Sequence, residues 1–63
     1  MIIALAIEQG KLDQVRELVS TTVPTCDITT KYDTESWPEM TLDFSWRDLD
    51  AVVAAIHKAF EKQ

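Results

Sequence analysis

Apolar residues recur every three or four positions from Lys11 onward, at Leu12, Val15, Leu18, Val19 and Val23, while Lys11, Asp13, Gln14, Arg16 and Glu17 fill the gaps. That spacing matches the turn of an α-helix and predicts one over 11–22 with a single apolar stripe. Pro24 ends it, because proline disfavours helical geometry at Val23 and has no amide to donate. A second stripe, Leu49, Val52, Val53, Ile56 and Phe60, predicts a helix over 46–61. Ser45 stands at its N-cap with Asp48 three positions on, a shortened capping box, and Phe44 and Leu49 occupy the staple positions. Asp48 and Asp50 lie near its positive end and His57, Lys58 and Lys62 near its negative end, as the helix dipole favours.

Between the helices the period falls to two. Cys26, Ile28, Thr30 and Tyr32 share one face and Asp27, Thr29, Lys31 and Asp33 the other; Met40, Leu42 and Phe44 alternate with Thr41 and Asp43. Both segments predict strands with one wet face, joined by the loop 34–39 and paired antiparallel. The opening run differs from both. Ile3, Leu5 and Ile7 form one apolar row and Ile2, Ala4 and Ala6 another, so it fits a strand or a short helix.

Two architectures follow from that ambiguity. As a strand, the run gives an α+β domain of order βαββα, with two helices on one face of a three-stranded sheet. As a helix, it closes at Gly10 into a helical hairpin followed by a β-hairpin and the last helix. The stretch ALAIEQGKLDQVRELV resembles the helical pair of an ankyrin repeat at Ala6, Glu8, Gly10, Leu12 and Val15. That resemblance implies the hairpin, but it covers about a quarter of the chain, lacks the threonine, proline, leucine, histidine opening, and a lone repeat leaves its apolar face uncovered. A weak internal echo favours the strand. Residues 2–19 align without gaps on 39–56, setting Ile3, Leu5 and Ile7 on Met40, Leu42 and Phe44, and Leu5, Leu12, Asp13 and Val15 recur as Leu42, Leu49, Asp50 and Val52. The expected fold is therefore βαββα.

Length and charge narrow the function. Sixty-three residues support one core and one small domain, 1–63, and the 46% hydrophobic fraction is too high for a disordered chain. Cys26 is the only cysteine and His57 the only histidine, which leaves no internal disulfide and no cysteine-rich zinc site. The acids number 11 against 6 bases, and the net charge of −5 repels phosphate, so direct nucleic-acid binding is not expected. The apolar start is too short for a membrane span and lacks the basic region of a leader, which points to a cytoplasmic protein with no membrane contact.

No catalytic, cofactor or metal site is expected. Cys26 belongs to the core-facing row, where a thiol is inert, and His57 lies at the rim of a helical stripe; neither has an orienting third group. Asp33, Glu35 and Glu39 lack the central glycine of a calcium loop. Trp37 carries more information. It stands beside Pro38 among those three acids, and an aromatic anchor with a charged rim is a common protein contact, so Trp37, Asp33, Glu35 and Glu39 form the candidate partner-binding set. The competing reading folds Trp37 back over the core. Trp46, at the first turn of the last helix, is expected to be a packing or boundary residue.

Two helices cover one sheet face, which would leave Ile2, Ala4 and Ala6 exposed and suggests a self-complementary homodimer through them. Ala51, Ala54 and Ala55 offer a second surface for close approach. The chain thus reads as a small acidic protein-binding or regulatory module. Its element order resembles that of the small acidic DNA-damage-inducible inhibitors that bind recombination filaments, which implies a basic or nucleic-acid-binding partner that it inhibits. The rival reading is a ligand sensor similar to ferredoxin-like regulatory domains, with a pocket at a dimer seam.

Overall fold

In a computed structural model that describes residues 1–32 and 35–61, the chain runs β1 (Ile2–Ala6), α1 (Leu12–Thr22), β2 (Asp27–Lys31), β3 (Glu39–Asp43) and α2 (Leu49–Ala59). The opening run is a strand, so the helical-hairpin alternative and its ankyrin-like pairing do not form. The sheet order is β1-β3-β2 with both neighbours antiparallel. β1 and β2 therefore run the same way on either side of β3, and α1 carries the chain across.

One face of the sheet makes the core. Met40 and Leu42 of β3 are wholly buried, joined by Ile7, Phe44 and Val23, by Leu12, Val15 and Val19 of α1, and by Val52, Ala55 and Ala59 of α2. α1 and α2 also pack on each other. Lys11 Nζ donates to the Ala59 carbonyl at 3.5 Å, placing a cation at the negative end of α2 and tying it to the start of α1.

α1 ends as Pro24 requires. Val23 is extended, at φ −131° and ψ 83°, and its carbonyl accepts from the Cys26 amide at 3.0 Å to close the turn into β2.

Several local expectations need correction. Each helix is entered through a single 3-10 turn, Gln9–Lys11 and Trp46–Asp48, so α1 starts at Leu12 and α2 at Leu49. Ser45 makes no side-chain cap; its carbonyl accepts from the Asp48 amide at 2.8 Å instead. Trp46 projects outward from that tight turn and is 70% exposed, so it does not pack. The buried face of α2 is rotated from the expected stripe: Ala55 and Ala59 are buried while Val53 and Phe60 are exposed. Small side chains thus take inward positions on the helix that packs against α1. The supposed alanine surface is accordingly split, with Ala55 buried, Ala51 half-buried and Ala54 exposed. Among the described residues, no helix is long and apolar enough to cross a membrane.

Candidate functional site

The sheet face away from the helices is open, and strand register arranges it in three rows. Ile2, Asp43 and Asp27 stand side by side, then Ala4, Thr41 and Thr29, then Ala6, Glu39 and Lys31. Read across the strands, the face passes from an uncharged strip on β1 to a charged one on β2 and β3. Two carboxylates sit directly opposite at one end, an unfavourable pair, whereas Glu39 faces Lys31 at the other.

At that second end lies a hollow of about 370 Å³ lined by Ala6, Lys31, Tyr32, Ser36, Trp37 and Glu39. Its aromatic wall is well placed for contact: Trp37 is 59% exposed and Tyr32 65%. The neighbouring backbone is anchored, since the buried Pro38 lends its carbonyl to the Ile7 amide at 2.9 Å, directly after Trp37. Ser36 Oγ lies 3.5 Å from the Trp37 carbonyl. Trp37 thus sits on a tethered segment with its indole facing solvent, outside the core.

Of the residues singled out from sequence, Trp37 and Glu39 come together here. Glu35 is exposed in the same turn but does not line the hollow, and Asp33 lies outside the described residues. Ala6, singled out for a homodimer contact, lines the hollow as well, and Lys31, Tyr32 and Ser36 were missed. Lys31 could have been found by carrying the wet row of its strand across the register. Tyr32 was hidden because the alternation, run on past Lys31, assigns it to the core row; β2 stops at Lys31 and Tyr32 turns outward.

Ile2, Ala4 and Ala6 all lie exposed along the open face of β1. Cys26 is half-buried, with Sγ 3.8 Å from the Asp27 carbonyl oxygen; burial first, then the negative charge of Asp27, push its thiol pKa above the usual value of 9.0. That is the opposite of what a nucleophile requires. His57 is exposed on the last turn of α2, where a hollow is lined by Ala54, His57, Lys58, Phe60 and Glu61. The chain matches no protein-family model, no curated protein and no solved structure.

Proposed function

We propose that this chain is a small protein-binding module of regulatory type, which docks a partner bearing a basic surface at the Trp37 hollow. The exposure of Trp37 beside Tyr32 and Glu39 carries this reading. An indole left in water while a short chain struggles to fill its core is more useful to a partner than to the fold. Trp37 and Tyr32 offer an apolar anchor with ring faces that attract cations. Lys31 offsets Glu39 within the hollow, so selection for a basic partner falls to the wider surface, where Asp27 and Asp43 and a net charge of −5 steer a positive approach. Covering such a surface would make the chain an inhibitor of that partner. A lone cysteine, with no internal partner for a disulfide, suits a cytoplasmic setting.

Immobilised wild-type chain should retain a partner that salt releases, and Trp37→Ala should weaken that retention by about 2 kcal/mol with the melting curve unchanged. Equal retention by both chains would overturn the reading. No step of it uses Cys26 or His57, so Cys26→Ala with His57→Gln should bind as the wild type does.

A further inference from the structure

The hydrogen-bond phase of β1 shows what its free edge can do. The Met1 amino nitrogen donates to the Phe44 carbonyl at 2.8 Å and the Phe44 amide returns a bond to the Met1 carbonyl at 2.9 Å, while the Ile7 amide reaches the Pro38 carbonyl at 2.9 Å. With Ile3 opposite Leu42 and Leu5 opposite Met40, odd-numbered residues of β1 turn their backbone groups toward β3. The N–H and C=O groups of Ile2, Ala4 and Ala6 therefore point away from the sheet, along an edge that no described strand pairs with. The side chains of these three residues are also the exposed ones, and Ile2 is 66% exposed. On the helix side of the same edge Ile3 and Leu5 are only half-buried. Natural edge strands are blunted by charge, proline or a bulge, and residues 1–7 contain no charged side chain and no proline.

We infer that this edge is completed by a second copy of the chain, β1 pairing antiparallel with β1 about a two-fold axis at Ala4, so that two three-stranded sheets become one of six. Ala4 then exchanges both backbone bonds with its own counterpart, and Ile2 and Ala6 exchange theirs with Ala6 and Ile2 of the second copy. On the helix side Ile3 meets Leu5 and Leu5 meets Ile3, covering the half-buried pair. Charge selects this occupant and this geometry. A chain of net charge −5 repels its own copy wherever carboxylates meet, as they would if the open faces stacked through Asp27, Asp43 and Glu39; β1 is the uncharged strip. A standard interface covers about 800 Å² per partner, about a sixth of the 4692 Å² surface of this chain. A seam on a five-residue strand is smaller, so association is weak and concentration-dependent.

Sedimentation of the full chain from about 10 µM to about 1 mM, a range that brackets weak association, should show mass rising from 7.2 kDa toward twice that value. Over the same range, amide exchange should slow at Ile2, Ala4 and Ala6 while Ile3 and Leu5 stay protected throughout. Ala4→Glu and Ala4→Lys, at an exposed position that leaves the monomer folded, should each weaken association several-fold, and mixing the two should restore it. A chain that stays at 7.2 kDa throughout overturns the inference. So does a dimer that Ala4→Glu leaves intact, which would move the seam, first of all to β2, where Asp27 of one copy could meet Lys31 of the other. Unchanged exchange at the even-numbered amides would likewise exclude strand pairing.

Discussion

The two edges of this sheet have the same length and the same neighbour, yet they are finished differently. β1 and β2 each contribute five residues and each pair with β3. Since Met40 and Leu42 turn their backbone groups toward β1, the groups of Glu39, Thr41 and Asp43 turn toward Lys31, Thr29 and Asp27. The outward groups of β2 consequently fall on Ile28 and Thr30, whose side chains point into the helix layer. There Arg16 of α1 donates to Thr30 Oγ1 at 2.6 Å, setting a cation beside the edge. On the open face β2 shows Asp27, Thr29 and Lys31, charged at both ends. On β1 the outward backbone groups and the exposed apolar side chains belong to the same residues. Phase and composition coincide there to make an edge that invites pairing, whereas on β2 they combine to discourage it.

The strand between the edges should respond most strongly. Leu42 is wholly buried on β3 between Ile3 of β1 and Ile28 of β2, so Leu42→Ala should cost about 2–5 kcal/mol. That is comparable with the whole stability of so short a chain, and loss of the cooperative melt by circular dichroism is the expected result. Ile2→Ser supplies the contrast. Its side chain faces solvent, so the dilute protein should keep its stability within about 0.5 kcal/mol, while association through β1 weakens. An Ile2→Ser chain that unfolds as readily as Leu42→Ala would mean that the β1 edge belongs to the core, and the contrast between the edges would fail.

That difference explains what could be read from the sequence. Rows of side chains were legible because period two and period three-and-a-half report directly on burial: Ile3, Leu5 and Ile7 faced the core as their spacing required, as did Leu12, Val15 and Val19. Strand order was not legible, since the pattern of β1 says that it has two apolar rows and nothing about which strand lies beside it. The phase of the backbone bonds follows from order and register, so the free groups of Ile2, Ala4 and Ala6 appear only in the fold. Helix ends were the other blind spot. The spacing of Leu49 to Phe60 fixed a helix, but it marked neither the 3-10 entry over Trp46–Asp48 nor the side the core takes, which buries Ala55 and Ala59 and leaves Val53 and Phe60 exposed. Tyr32 was misplaced for a related reason, because alternation has no mark for where β2 stops. The Trp37 hollow was half legible: Trp37 and Glu39 are close in sequence, while Ala6 and Lys31 reach it only through the register.

The finish of the β2 edge can be tested through Arg16. Its bond to Thr30 joins residues from different elements, whereas its 4.0 Å contact with Asp13 is an exposed ion pair one helical turn away and worth little. A double-mutant cycle on Arg16→Met and Thr30→Val should therefore give a coupling near 1 kcal/mol, read from denaturant midpoints. The same cycle on Arg16 and Asp13 should give a few tenths. Equal couplings would show that Arg16 stabilises its helix alone and does nothing for the edge.

The smallest expected effect lies at the start of β2, where Cys26 stands just before Asp27. Its thiol is raised mainly because burial disfavours the thiolate, and next because the Asp27 carboxylate repels it; Asp43 and Asp48 add to that repulsion, and the Asp43 backbone bond opposes it. The folded state thus holds the Cys26 proton more tightly than the unfolded chain does. Above the ordinary thiol value of 9.0, folded molecules bind more protons than unfolded ones, so stability from this group is complete below that pH and declines as pH rises through the folded pKa. Alkylation of the native thiol should accordingly need a higher pH than alkylation of the denatured chain. Asp27→Asn should move the native profile part of the way down, leaving the shift that burial causes. A native Cys26 that reacts with the same pH profile as the denatured chain would show that neither burial nor the acidic end of β2 acts on it.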